Sequence, residues 1–79
     1  MKKYRIEYST ERDGMYKDNP NEFDEYKSED GEVLLIQKNS DEQWIAYYGD
    51  EEDYNYVTWA KSKLGVEEKL KLFEIELVK

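Results

Sequence analysis

The sequence predicts an α+β domain: a small sheet of about four strands, mainly antiparallel, with one helix packed on one face. Three observations carry that expectation. Residues near both ends alternate polar and apolar with the period of a half-buried strand. Two apolar runs, residues 33–36 and 44–48, flank a short polar stretch. A helix start signal at Asp50 is followed by a stop signal at Gly65. At 79 residues the chain has room for one domain and not two, so residues 1–79 read as a single acidic domain.

Residues 3–9 set Tyr4, Ile6 and Tyr8 on one face and Lys3, Arg5 and Glu7 on the other, which is strand-like. The strand ends before Asp13-Gly14, a strong turn dipeptide, and Met15-Tyr16 is placed to pair back as a short hairpin arm. Residues 18–31 read as a turn-rich loop. Asp18-Asn19-Pro20-Asn21 is a turn by composition, and the spacing of Phe23 and Tyr26 allows a single helical turn from Asn21. Residues 33–36 are apolar on both faces, as in a central strand. After a polar turn at 38–42, residues 44–48 return as the second arm of a hairpin.

Asp50 suits a helix N-cap. Glu51, Glu52 and Asp53 then place acids in the first turn, where the helix dipole favours them, and Asp50 and Asp53 have capping-box spacing. Val57, Ala60 and Leu64 supply the apolar stripe, Lys61 and Lys63 complement the C-terminal end, and Gly65 fits the position just past the helix. From about Leu70 to Val78, Phe73, Ile75 and Leu77 alternate with Glu74 and Glu76, the pattern of a last strand. Leu70 and Leu72 lie on the other parity, so either a bulge switches faces near Leu72 or residues 67–71 prolong a helical turn. The predicted order is β-β-β-α-β, with the far sheet face partly open or covered by a second copy.

Composition bounds the chemistry. Charged residues are 41% and hydrophobic residues 38%, which leans toward disorder, but 15% aromatics argue for a folded chain with a thin core. Cys and His are both absent, which removes disulfides, thiolate zinc sites, thiol nucleophiles and the commonest general base. No apolar run follows the basic start, and none has the length of a membrane span, so a cytoplasmic domain is expected. The four glycines sit at element boundaries and form no phosphate loop. The window from Asp18 fails the calcium-loop pattern, with Pro20 and Phe23 at forbidden positions. No catalytic residue, metal ligand or cofactor is assigned, and the chain reads as a binding protein rather than an enzyme.

The net charge of −8 is unevenly spread. Residues 11–32 hold nine acids against three bases, and residues 39–60 hold six acids and no base. Such a field repels nucleic acid and anionic membranes and draws in basic proteins. The candidate partner-binding residues are therefore Glu22, Asp24, Glu25, Glu29, Asp30, Asp41, Glu42, Asp50, Glu51, Glu52 and Asp53, with Tyr54 and Tyr56. Carboxylates pair with guanidinium groups and tyrosine rings stack on them. Of the eight tyrosines, Tyr4, Tyr8 and Tyr47 read as structural, and Tyr16, Tyr26, Tyr54 and Tyr56, which lie beside acids, as surface candidates.

Two functions fit this pattern. One is a small acidic inhibitor of a nucleic-acid-binding enzyme, of the phage or plasmid antagonist type, whose carboxylates imitate a phosphate array of about one charge per 1.7 Å. The alternative is a generic interaction or structural module, homodimeric through an apolar sheet face or strand edge, whose acids serve solubility only.

Overall fold

The computed structural model describes residues 1–14, 22–50 and 53–79. It overturns the predicted four-strand, one-helix architecture. Six strands form a curled, half-barrel sheet, and the helical content is small. The strands are β1 (Lys2–Ser9), β2 (Phe23–Ser28), β3 (Val33–Ser40), β4 (Gln43–Gly49), β5 (Tyr54–Ala60) and β6 (Ile75–Val78). One helical turn, α1 (Thr10–Asp13), follows β1. Helix α2 (Lys63–Leu70) and a 3₁₀ turn (Lys71–Phe73) join β5 to β6.

The strand order is β5-β4-β3-β2-β1-β6. The four pairings from β1 through β5 are antiparallel, and β6 lies parallel to β1. The chain thus leaves the sheet at one edge and re-enters at the other. Helix α2 crosses the concave side between them and touches β3, β4, β5 and β6. Its Val66 and Leu70 close a core of Tyr4, Tyr26, Leu34, Ile36, Ala46 and Ala60. Strand alternation puts these on one face of the sheet, and the intervening residues of β3 and β4 face outward.

The largest departure is at residues 50–65. The predicted helix is strand β5, preceded by a turn and followed by the real helix. Five of the seven residues of β5 (Tyr54, Tyr56, Val57, Thr58, Trp59) are aromatic or β-branched and fit a pleated surface better than a helix. The capping signal at Asp50 was genuine but served another purpose. Its carboxylate accepts the Asp53 N–H at 3.0 Å, the bond of an N-cap, here closing the β4–β5 turn. Gly49 opens that turn at φ +156°, and a Cβ there would meet the Asp53 carbonyl oxygen at 2.0 Å. The actual N-cap is Ser62, whose hydroxyl accepts from the Gly65 N–H at 3.0 Å. Gly65 therefore lies in the first turn of α2 and not past its end. A Cβ on it would sit 3.0 Å from Ala60 Cβ, so its bareness lets the helix start close against the end of β5.

Two other readings are corrected. The loop expected over 18–31 contains β2. Its inward positions hold Asp24 and Ser28 as well as Tyr26, so polar residues hide the alternation. The last strand starts at Ile75 rather than near Leu70. Leu70 is buried as the end of α2, and Glu74 at φ 60° turns the chain into β6. The proposed hairpin arm at Met15-Tyr16 and the turn at 18–21 lie outside the described residues, as do Glu51 and Glu52.

Candidate protein-binding surface

The described acids are sorted by the sheet. In a meander, successive turns alternate ends, so the β2–β3 turn with Glu29 and Asp30 shares an end with the β4–β5 turn that carries Asp50 and Asp53. Both acidic segments of the sequence thus meet at one rim. Asp41 and Glu42 lie in the β3–β4 turn at the opposite rim, where Glu22 enters β2. The eight residues of β3 separate the rims by roughly 24 Å. Most of these carboxylates are well exposed. Lys38 lies 3.8 Å from Glu22 and 3.7 Å from Asp41, and Lys2 lies 3.4 Å from Asp30. Such surface pairs contribute little to stability. The Ser28 hydroxyl, first, and then Lys2 hold the Asp30 carboxyl below the ordinary carboxylate range, so it stays ionised.

Asp24 is different. It is 2% exposed and accepts from Ser9 Oγ at 2.7 Å and from Lys63 Nζ at 2.7 Å. Lys63 also reaches Glu11 at 3.1 Å and lies 5.9 Å from the centre of the Trp44 ring. These groups line a cleft of about 310 Å³ with Thr10, Glu22 and Phe23. Burial alone would lower the lysine pKa, but its bonds to Asp24 and then Glu11 outweigh burial and raise it. The amine is therefore held as an ammonium, a clamp that ties the start of α2 to β2. Asp24 belongs to this buried corner and not to the exposed acid array.

The tyrosines divide in a way the sequence did not foretell. Tyr4 is buried, and Tyr8 and Tyr47 are half-buried. Tyr26, expected at the surface, is a core residue with 0% exposure, and its hydroxyl has no hydrogen-bond partner. Tyr16 is outside the described residues. Tyr54 and Tyr56 are exposed on β5, as is Trp59, which sequence reasoning missed. The reason lies in a bulge. In register, Ile45 faces Trp59 and Tyr47 faces Tyr56, so the extra residue is Val57. Without it, positions 56 and 59 would point to opposite faces. With it, Tyr56 (59% exposed) and Trp59 (43% exposed) share the outer face with Ile45, Tyr47 and Leu35. Lys69 steadies this corner by donating to the Trp59 carbonyl at 2.9 Å, with its ammonium 5.8 Å from the indole centre. Alternation read across one inserted residue was the available signal, and the competing stripe of Val57, Ala60 and Leu64 concealed it.

The resulting surface is an aromatic band on the outer side of β4 and β5, flanked by Asp50 and Asp53 at one rim and Asp41 and Glu42 at the other. Large rings without charge at the centre and charge at the margin are the makeup of a protein-binding patch. Among the described residues no group of three or more acids is placed to hold a metal ion, and no helix is long and apolar enough to cross a membrane. No protein-family model matches the chain, and no curated protein or solved structure matches it either.

Proposed function

We propose that this chain is a small acidic protein-binding domain. Its contact surface is the outer face of β4 and β5, and its partner is a basic protein. The observation that carries this reading is the seven-residue strand β5, which displays Tyr54, Tyr56 and Trp59 without a single charged residue, between carboxylates at both ends. The rings supply desolvated area, the rim acids steer a basic surface into register, and a partner arginine can both stack and pair.

A second reading, displacement of nucleic acid from a basic groove, is favoured by the meeting of both acidic segments at one rim. It ranks below the first because of charge density. A duplex as long as the molecule's 32 Å axis carries about 19 phosphates, whereas the described acids gather at two rims around an aromatic band.

Capture from lysate at low and at high salt, with and without added duplex DNA, separates the two. The first reading expects a basic protein whose capture weakens on replacing Tyr56 and Trp59 and is indifferent to DNA. Capture that DNA abolishes and that ignores those substitutions would favour the second. A captured set no more basic than the lysate would remove both.

A further inference from the structure

The two edges of the sheet are not equally protected. The edge strand β6 has four residues and carries Glu76. The edge strand β5 has seven residues, with no proline and no charge, and among the described residues no strand lies on its outer side. Natural sheets blunt edges with charge, proline or brevity, because a long uncharged edge recruits another strand. The Val57 bulge and Lys69 on the Trp59 carbonyl are the protections found on β5. They leave residues 54–58 as the pairing segment.

The ends of β5 are also oppositely charged. Asp53 precedes it and Lys61 follows it, both exposed, and Lys61 makes no ion pair among the described residues. An antiparallel copy of the same strand therefore brings acid beside base at both ends. Pairing that keeps the two outer faces on one side of the joined sheet must respect the bulge, which sets the twofold axis between Val57 and Thr58. In that register Tyr56 of each copy stands opposite Trp59 of the other, and Tyr54 opposite Lys61. Cross-strand aromatic pairs and a lysine beside a tyrosine ring are both favourable.

We propose that β5 is a self-pairing edge: two copies of this chain join antiparallel through it into one continuous sheet. The joined form doubles the aromatic band and goes beyond the partner binding proposed above, which needs one copy only. A strand-edge contact is smaller than the roughly 1,200 Å² typical of stable complexes, so the dimer forms at high protein concentration.

Sedimentation equilibrium across low to several hundred micromolar protein tests this, in about 0.15 M salt, where a Debye length of about 8 Å screens the net charge of each copy. The expected result is a mass rising from 9.6 kDa toward twice that value. Lys61→Glu and Asp53→Lys, both exposed changes, should each weaken the dimer about tenfold, and the double swap should restore it. Circular dichroism confirms that each variant folds. A monomer at every concentration overturns the proposal. So does a dimer indifferent to both single changes, which would place the contact elsewhere. Because the readout is mass, failure here leaves partner capture untouched, and failure of partner capture leaves this result standing.

Discussion

The two sides of the sheet, β5 and β6, end the same structure in opposite ways. Beside β6, helix α2 packs against the sheet, and Glu67 of the helix holds Lys79 at 2.8 Å just past the strand. The strand itself is short, and its neighbour β1 is drawn in by Tyr4, whose hydroxyl donates to Glu32 at 2.8 Å. At β5 the outward residues are large rings in solvent. One side is built to hold the fold together and the other to be used. Burial decides which is which: residues that α2 covers contribute stability, and residues it leaves uncovered contribute contact area for something else.

That contrast is sharpened by substitutions whose costs should fall steadily from the covered side to the open one. Leu70→Ala removes a fully buried side chain that pins α2 to the sheet, and urea unfolding should show a loss of about 2–5 kcal/mol. Asp24→Ala strips Lys63 and Ser9 of their shared partner. About 3 kcal/mol is expected in the same assay, at the low end for a buried pair because the lysine side chain is 21% exposed and keeps Glu11. An Asp24→Ala variant as stable as the parent would mean that α2 is held by packing alone.

The core tyrosines predict a pH effect. Burial, then the bond to Glu32, pushes the Tyr4 phenol up to about 12, and burial raises that of Tyr26 further. Both lie above the value of about 10 expected in the unfolded chain. The raised values favour the folded state fully below pH 10, and this contribution is lost as pH climbs through 10 toward 12 and beyond. Urea midpoints at pH 9 and 11 should show the decline, while absorbance titration shows the exposed tyrosines ionising first. Tyr26→Phe removes the unpaired buried hydroxyl and should be neutral or stabilising by about 1 kcal/mol. On the open side, Tyr56→Ser with Trp59→Ser should shift stability least, by about 0.5 kcal/mol. A large loss there would make the band structural and dissolve the contrast.

Much of the sheet was legible from residues alone. The first strand and the central hairpin followed from alternation and apolar runs because their inward positions are apolar and their turns polar. Strand β2 was hidden because two of its inward positions are polar groups satisfied by residues distant in sequence, Asp24 by Ser9 and Lys63, and Ser28 by the Glu32 turn. Local pattern cannot display a partner that is 39 positions away, as Lys63 is from Asp24. Strand β5 was misread because Asp50 makes the hydrogen bond of a helix cap while closing a turn, and because the Val57 bulge broke the period of two. The acidic rims were visible as charge runs. That the two runs converge at one end, and that an aromatic band lies between the rims, depended on the order of the hairpins.

The central claim is that the β5 face binds a basic protein. Its most direct test is side-by-side capture with the parent chain and the Tyr56→Ser, Trp59→Ser variant as baits, at matched stability and low salt. The account predicts that a basic partner held by the parent is lost from the variant, a drop of about 2 kcal/mol or more in binding free energy. Equal capture of the same partner by both baits would contradict it and move the contact to the acidic rims.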